Sequence, residues 1–283
     1  MNGKVKTLKT IKQILDDGAR YLQSKGNNSA RTDAESLVAH SLGLKRVDIY
    51  LQLEKTLIDD ELIELRELFK LRATGKPLQY ILGTVAFRYL EIAVDENVLI
   101  PRPETEIIVE VIADIVTEKS KVLELGTGSG AIALSVASEV KARVDATDIC
   151  TKALSVARSN AQKNGVSGVN FFESDWFSSV SEKYDLIVVN PPYVSLDEYS
   201  ILQTEIRDFE PRLAVTDEAD GLRCIKMITD SALSHLTDNG YLVLEIGHEQ
   251  RKKVKHILDE KGFKNISAKQ DLANRDRFVV ASA

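Results

Sequence analysis

The sequence has few of the residues that mark disulfide-rich or metal-binding proteins. Among its 283 residues are two cysteines, Cys150 and Cys224, and four histidines. Two cysteines cannot build a disulfide framework, and such scarcity is typical of a reducing compartment, so we expect a cytoplasmic protein. Because the histidines show no metal-ligand spacing, we expect no bound metal.

Long apolar runs and an excess of basic charge are also missing. No apolar segment reaches membrane-spanning length, and no signal-type apolar run follows the Lys-rich N-terminus, so we expect no membrane association. With 37 basic and 43 acidic side chains, the formal net charge is -6. An acidic chain is a poor candidate for binding long stretches of duplex phosphate, so we expect no stable nucleic-acid binding.

Helical periodicity dominates residues 1–83, which we assign to an N-terminal helical domain. We predict helices from Lys6 to Tyr21, from a Thr32 or Asp33 cap to about Leu42, and from Asp59-Asp60 to just before Gly75. The polar side chains of the third helix, Arg72 among them, are interpreted as solvated surface rather than as a docking face. Across residues 84–100, apolar residues on both sides of Asp95-Glu96-Asn97 predict a β-hairpin linker.

In residues 101–283, predicted strands and helices alternate, which is typical of an α/β domain with a mainly parallel sheet. Seven strands are predicted, at 121–125, 143–147, 169–172, 184–189, 240–246, 263–268 and 277–281. Helices are predicted at 131–138, 151–164, 221–236 and 248–261. Residues 195–220 show little periodicity and several acids, so we predict a long active-site loop there.

A glycine-rich turn, Gly126-Thr127-Gly128-Ser129-Gly130, separates the first of these strands from a helix. This order is typical of a nucleotide-binding unit, because glycine permits a positive φ and a close approach of the backbone to a ligand. The next strand ends at Asp148, whose carboxylate suits a ribose diol. An N-cap for the following helix is the alternative for Asp148, and the two roles are compatible.

Two further motifs follow strands. Asp175-Trp176 comes after the third strand and contains the single tryptophan, which could flank an adenine ring or simply belong to the core. Asn190-Pro191-Pro192-Tyr193 comes after the fourth strand, where Pro fixes φ and restrains the residue before it. Asn190 thus presents an acceptor and a donor on a stiff loop beside an aromatic ring, which suits a flat group with N–H donors. A Pro-rich turn that only ends the strand is the alternative.

The segment Pro101-Arg102-Pro103-Glu104-Thr105-Glu106 has two interpretations. It is either a Pro-stiffened linker that begins the next helix or a wall beside the cofactor.

Together, these motifs resemble the class I methyltransferases that use S-adenosylmethionine and methylate nitrogen. More narrowly, they resemble the protein-(glutamine-N5) methyltransferases of peptide chain release factors, the PrmC/HemK family. Further matches are Pro77-Leu78-Gln79-Tyr80-Ile81-Leu82-Gly83, the Pro101–Glu106 segment, Glu124-Leu125 before the glycine-rich turn, and Glu245-Ile246-Gly247, so the resemblance spans nearly the whole chain. Glu124 stands where the family commonly has Asp, which keeps the carboxylate.

The resemblance implies a Rossmann-like, mainly parallel seven-stranded sheet with an antiparallel last strand. It also implies that the small helical bundle of residues 1–83 helps to hold the protein substrate. It implies methyl transfer from S-adenosylmethionine to the glutamine of a Gly-Gly-Gln loop in class I peptide chain release factors, in support of translation termination. The implied cofactor-binding residues are Glu124, Gly126, Thr127, Gly128, Ser129, Gly130, Asp148, Asp175, Trp176 and Asn190. The implied substrate-binding residues are Arg102, Glu106, Asn190, Pro191, Pro192 and Tyr193.

An amide nitrogen is a poor nucleophile, so the site must favour the charge that nitrogen gains. We expect the side-chain oxygen of Asn190 and the carbonyl of Pro191 each to accept one N–H of the glutamine, with Tyr193 against the amide plane. Three alternatives stay open: an adenine-N6 type DNA or RNA methyltransferase with a flipped base in the same site, a ribosomal-protein glutamine methyltransferase, and a non-catalytic cofactor-binding scaffold.

Overall fold

A computed structural model describes residues 9–283, which form two compact units that divide between Gly83 and Thr84. The first unit is helical and the second contains both sheets of the protein's described part. The β-hairpin lies within the second unit, while a substrate-recognition role for the first unit stays a prediction.

The first unit packs its helices around an apolar core that includes Ile11, Leu15, Leu37, Leu65 and Phe69. Its helices are α1 (Ile11–Ser24), α2 (Ala30–Ser41), α3 (Asp59–Ala73) and α4 (Leu78–Leu82), with a 3-10 turn at Asp48–Leu51.

Two predicted helix starts in this unit are corrected. Helix α1 begins at Ile11 because the Thr10 side chain accepts a hydrogen bond from the backbone N–H of Gln13 in a capping box. The predicted start at Lys6 lies outside the described residues. Helix α2 begins at Ala30, so neither Thr32 nor Asp33 is its cap.

Arg72 is buried, which corrects its interpretation as solvated surface. Its Nε lies 2.6 Å from Oδ2 of Asp33, and both side chains are 6% exposed. Helical spacing explains the burial, because Arg72 follows Leu65 by seven residues and therefore lies on the same face of α3. The two charges tie α3 to α2 inside the unit.

The hairpin at the start of the second unit turns earlier than predicted. Its strands are β1 (Thr84–Phe87) and β2 (Leu90–Ala93), which pair antiparallel, so the turn is at Arg88-Tyr89 and not at Asp95-Glu96-Asn97. Arg88 has a φ of 53°, a conformation that its sequence does not signal. Its guanidinium donates to Glu139 and Glu110 at 2.6–3.1 Å, which holds this turn in place.

Seven strands form the main sheet, in the order β5-β4-β3-β6-β7-β9-β8. They are β3 (Lys121–Leu125), β4 (Arg143–Asp148), β5 (Val169–Glu173), β6 (Tyr184–Val189), β7 (Leu236–Glu245), β8 (Lys264–Gln270) and β9 (Asp276–Ser282). The first five of these strands are parallel, and β9 lies antiparallel between β7 and β8. The predicted α/β fold with an antiparallel last strand is confirmed.

Helices α5 (Ile107–Ala113), α6 (Ala131–Glu139), α7 (Thr151–Asn164), α8 (Leu196–Ser200), α9 (Thr204–Phe209), α10 (Arg212–Val215), α11 (Arg223–Ala232) and α12 (Arg251–Lys261) complete this unit. Residues 195–220 therefore hold three short helices and are not the predicted loop. Ser195 caps the first of them by accepting from the N–H of Glu198. Helices this short span too few turns to show periodicity.

The strand order reverses beside β3. The chain runs outward from β3 to β4 and β5, and then returns to the other side of β3 to form β6. Open α/β sheets bind ligands at such a reversal, at the carboxyl ends of the strands. In residues 9–283, no helix combines the length and apolar character needed to cross a membrane.

Candidate active site

A cavity of about 620 Å³ opens at the carboxyl ends of β3, β4, β5 and β6. The residues that follow each of these strands line it, and residues 96–105 and 211–218 supply further walls. The cavity therefore lies at the reversal of strand order, with all of its lining residues in the second unit.

Two of the three glycines in the turn after β3 face open space. Gly126 and Gly128 have φ values of 69° and 56°, and a Cβ at either position would meet no atom within 4 Å. Gly130 differs, because its Cβ would lie 3.1 Å from that of Ala157 on α7, and it does not line the cavity. Gly126 and Gly128 thus leave room for a ligand, while Gly130 permits close packing of the turn on α7.

Glu124 is a buried carboxyl beneath the turn, 2% exposed. Its Oε2 accepts from the Thr127 hydroxyl at 2.6 Å and from the Ala133 N–H at 3.0 Å. Burial raises the pKa of Glu124 from 4.5 to about 8, despite these two hydrogen bonds. Glu124 therefore connects β3, the turn and the first turn of α6, and it also lines the cavity.

Asp148 fixes the glycine-rich turn from the end of β4. Its Oδ2 accepts from the Gly128 N–H and its Oδ1 accepts from the Cys150 N–H, both at 2.8 Å. The N-cap of α7 is Cys150, so the N-cap interpretation of Asp148 is wrong. Burial raises the pKa of Asp148, and the residue lines the cavity.

Asp175 and Trp176 both line the cavity after β5. Trp176 has a φ of 47° and is half-buried, with part of its ring against the apolar core of the sheet. Trp176 thus contacts the core and also borders the cavity, while its role beside an adenine ring stays a prediction. Ser174 holds this turn, because its hydroxyl donates to the carbonyl of Trp176 at 2.8 Å.

The turn after β6 presents Asn190 to the cavity. Asn190 and Pro192 line it, whereas Pro191 is buried and does not. Within residues 9–283, the Asn190 side chain makes no hydrogen bond, so its oxygen and its amide nitrogen are both available. Tyr193 does not line the cavity either, and its hydroxyl donates to Glu245 Oε1 at 3.2 Å.

Of the two predicted substrate-binding residues in the Pro101–Glu106 segment, Arg102 lines the cavity and Glu106 does not. Arg102 donates to Oε1 of Glu210 at 2.5 Å, and Oε2 of Glu210 accepts from the Ile100 N–H at 3.1 Å. Sequence reasoning missed Glu210, because it lies more than a hundred residues from its partners and within a segment interpreted as loop.

Glu245 is the second carboxyl that sequence reasoning missed as a site residue. It ends β7, is 1% exposed, and accepts from the Thr105 hydroxyl at 2.8 Å as well as from Tyr193. Burial raises the pKa of Glu245 to about 7. Its sequence signals were its position near the carboxyl end of a predicted strand and the family match Glu245-Ile246-Gly247.

Comparison with known proteins shows the class to which this fold and this cavity belong. Residues 103–215 match the family model described as methyltransferase small domain. Among solved structures, a methyltransferase from Pyrococcus furiosus superposes with a TM-score of 0.54 at 18% identity, covering 70% of this chain and 90% of that one. The hMettl16 catalytic domain superposes with a TM-score of 0.58 at 15% identity, covering 81% and 84%. Similarity at these identities concerns the fold alone.

Sequence relatives define the family more narrowly. Residues 13–83 match the PrmC N-terminal domain. A release factor glutamine methyltransferase from Geobacter sulfurreducens is 38% identical over 272 residues, which cover 95% of each chain. One from Lactococcus lactis subsp. lactis is 41% identical over 230 residues, covering 80% of this chain and 85% of that one. The chain belongs to the release factor glutamine methyltransferase family.

Proposed function

We propose that the protein transfers a methyl group from S-adenosylmethionine to the side-chain amide nitrogen of the glutamine in the Gly-Gly-Gln loop of class I peptide chain release factors. One observation carries the proposal. The glycine-rich turn and Asn190 follow the adjacent strands β3 and β6 and border the same cavity. Family membership supports the choice of a glutamine in a release factor over a nucleobase, and we expect the reaction to occur in the cytoplasm.

The lining residues fit S-adenosylmethionine. Gly126 and Gly128 leave space that any Cβ would fill, and Asp148 offers a carboxylate to ribose hydroxyls. Trp176 and Asp175 offer an aromatic face and an acceptor to the adenine ring. When bound, this cofactor supplies a methyl group on a positively charged sulfur.

The chain's own contribution is to hold the target nitrogen. The Asn190 side-chain oxygen would accept one N–H of the glutamine. The carbonyl of Pro191, a buried residue that does not itself line the cavity, would accept the other when the glutamine occupies the site. Both acceptors favour a nitrogen that gains positive charge, so they stabilise the transition state more than the ground state. Because Asn190 forms no side-chain hydrogen bond in the described chain, no internal bond has to break first. The nitrogen then loses a proton to solvent.

The remaining parts of the site have supporting roles in this proposal. Tyr193 acts through its hydrogen bond to Glu245 and less through a face presented to the glutamine, since it does not line the cavity. Arg102, held by Glu210, would contact the polar loop of the release factor at the wall of the cavity. The helical first unit would bind the release factor outside its Gly-Gly-Gln loop.

The test is incubation of the protein with S-adenosylmethionine labelled on its methyl group. Separate reactions contain a class I release factor, its Gln→Ala variant in the Gly-Gly-Gln loop, a ribosomal-protein fraction and DNA. We expect label in the intact release factor alone. Label in the ribosomal fraction or in DNA instead would assign the protein to another substrate, and label in none of them would favour a non-catalytic scaffold.

A further inference from the structure

Tyr193 is held at both of its polar ends. Its hydroxyl donates to Oε1 of Glu245 at 3.2 Å, and its carbonyl accepts from Nε2 of Gln250 at 2.9 Å. The same Gln250 Nε2 also donates to the carbonyl of Gly221 at 3.0 Å. Tyr193 follows Asn190 by three residues with two prolines between them, so little backbone freedom separates the two side chains.

Glu245 joins this turn to another wall of the cavity. The oxygen of Glu245 that Tyr193 does not use accepts from the Thr105 hydroxyl at 2.8 Å. Thr105 is buried, lines the cavity, and belongs to the segment that carries Arg102. One carboxyl therefore connects the Asn190 turn with the Pro101–Glu106 segment, and each of its oxygens accepts from a different wall.

The charged groups near Glu245 favour a role in connecting the two walls of the cavity over a role in a simple ion pair. The charge of Arg277 on β9 favours the charged form of Glu245, whereas that of Glu104, in a 3-10 turn at Pro103–Glu106, disfavours it. Arg277 lies 3.4 Å from Asp271, which takes up part of its charge. The two hydroxyls are thus the groups that bond Glu245 directly, and their hydrogen bonds offset part of the cost of burying this carboxyl.

We propose that Glu245 is a positioning residue, which orients the Asn190 side chain by accepting hydrogen bonds from Tyr193 and Thr105 at the same time. The inference rests on the proposed function, because Asn190 is the group that would contact the glutamine. Loss of either bond leaves the Asn190 turn free to shift relative to the opposite wall, and shifts of this kind reduce turnover more than they reduce cofactor binding.

A dependence on pH follows from the same geometry. An ionised Glu245 accepts from both hydroxyls, whereas a protonated one must donate from one oxygen and reverse one of the bonds. Burial raises the pKa of Glu245 to about 7, so this change falls within the range where the enzyme can be assayed. We therefore expect kcat to fall as the pH drops below about 7.

The activity test compares Glu245→Gln, Glu245→Leu and Tyr193→Phe in the full chain, with S-adenosylmethionine and a class I release factor. We expect kcat of Glu245→Leu and Tyr193→Phe to fall by roughly tenfold to a hundredfold, because misplaced reacting groups reduce rates by about this much. Their affinity for S-adenosylmethionine, measured by calorimetry, should stay near that of the unchanged protein. Glu245→Gln should hold kcat near the low-pH value of the unchanged protein at every pH, because its amide nitrogen donates and so reverses one of the two bonds, as a protonated carboxyl does.

Tyr184→Phe is the matched control. Tyr184 is also buried and donates its hydroxyl to a carboxylate, Asp145, at 2.9 Å, but neither residue lines the cavity. Deleting this hydroxyl removes a similar bond from the same unit, so we expect kcat and its pH profile to stay unchanged. Equal kcat in Tyr193→Phe and Tyr184→Phe, or a pH profile of Glu245→Gln identical to that of the unchanged protein, would overturn the inference.

A second readout needs no methyl transfer. With tyrosines labelled at the ring carbon that bears the hydroxyl, the resonance that Tyr193→Phe removes is assigned to Tyr193. We expect the chemical shift of this resonance to change with a midpoint near pH 7 in the unchanged protein, as Glu245 ionises, and to stay constant with pH in Glu245→Gln. A flat resonance in both would overturn the coupling. If the unchanged protein methylates no release factor, the proposed function fails, while this titration still decides whether Glu245 and Tyr193 are coupled.

Discussion

Replacing Glu124 by glutamine should make the second unit more stable than that of the unchanged protein, by a margin that grows as the pH rises. Both hydrogen bonds to this carboxyl, from the Thr127 hydroxyl and the Ala133 N–H, go to the same oxygen. A glutamine can place its own oxygen there and keep both bonds. The substitution therefore removes the ionisation and little else.

The size of the effect follows from the pKa of Glu124, which burial raises from 4.5 to about 8. A group whose pKa is higher in the folded state stabilises the fold below its unfolded pKa, and this stability is lost as the pH rises towards the folded pKa. The loss is about 1.4 kcal/mol per pH unit, or about 4 kcal/mol between pH 5 and pH 8. Glu124→Gln should escape this loss, so its advantage should grow from near zero at pH 5 to about 4 kcal/mol at pH 8.

The assay is urea unfolding followed by tryptophan fluorescence at pH values from about 5 to about 9, the range that brackets the loss. Trp176 is the single tryptophan and lies in the second unit, so the signal reports on the unit that contains Glu124. Glu118→Gln, at an exposed position of the same unit, is the matched control and should follow the unchanged protein. Parallel stability curves for Glu124→Gln and the unchanged protein would refute the reasoning.

Three further predictions concern the first unit and the cofactor site. Arg72→Met should lower the free energy of unfolding of the first unit by about 3–5 kcal/mol, because it leaves the buried Asp33 without its charged partner; urea unfolding followed by circular dichroism measures this. Gly18→Ala should cost about 1 kcal/mol or more despite the better helix propensity of alanine, because its Cβ would lie 2.2 Å from Phe69 Cζ; the same unfolding assay applies. Asp148→Ala should weaken binding of S-adenosylmethionine by roughly tenfold to a hundredfold, because the Gly128 N–H loses a charged acceptor; calorimetry measures the affinity.

Each of these predictions has a clear contrary result. Arg66→Met, at an exposed position of α3, is the control for Arg72→Met, and equal stability of the two variants would contradict the buried ion pair. A Gly18→Ala variant as stable as the unchanged protein would mean that Phe69 moves aside without cost. An unchanged affinity in Asp148→Ala would remove this carboxylate from the cofactor site.

The sequence predicted the strands and turns of the site well because their signals are local. Buried parallel strands are short apolar runs, and β3 and β6 have the bounds that such runs predicted. Glycine widens the accessible range of φ and proline narrows it, and both effects act within a few residues. The glycine-rich turn and the Asn190 turn were therefore recognisable without any tertiary contact.

What the sequence could not predict depends on distant partners. The turn at Arg88 has no glycine or asparagine, and it is held by ion pairs to Glu110 and Glu139. Arginine is a residue type usually found on the surface, and Arg72 is buried only because Asp33 on another helix neutralises its charge. Glu245 likewise gains its place in the site only when β7 lies beside β6.

The most direct test of the account is mass spectrometry of the Gly-Gly-Gln peptide of a class I release factor after a single turnover with the unchanged protein and with Asn190→Ala. Asn170→Ala, at an exposed position on β5 outside the cavity, is the matched control. We expect the unchanged protein and Asn170→Ala to methylate the glutamine at similar rates, and Asn190→Ala to be slower by on the order of 100-fold or more with little change in cofactor affinity. Methylation by Asn190→Ala at the rate of the unchanged protein would contradict the account.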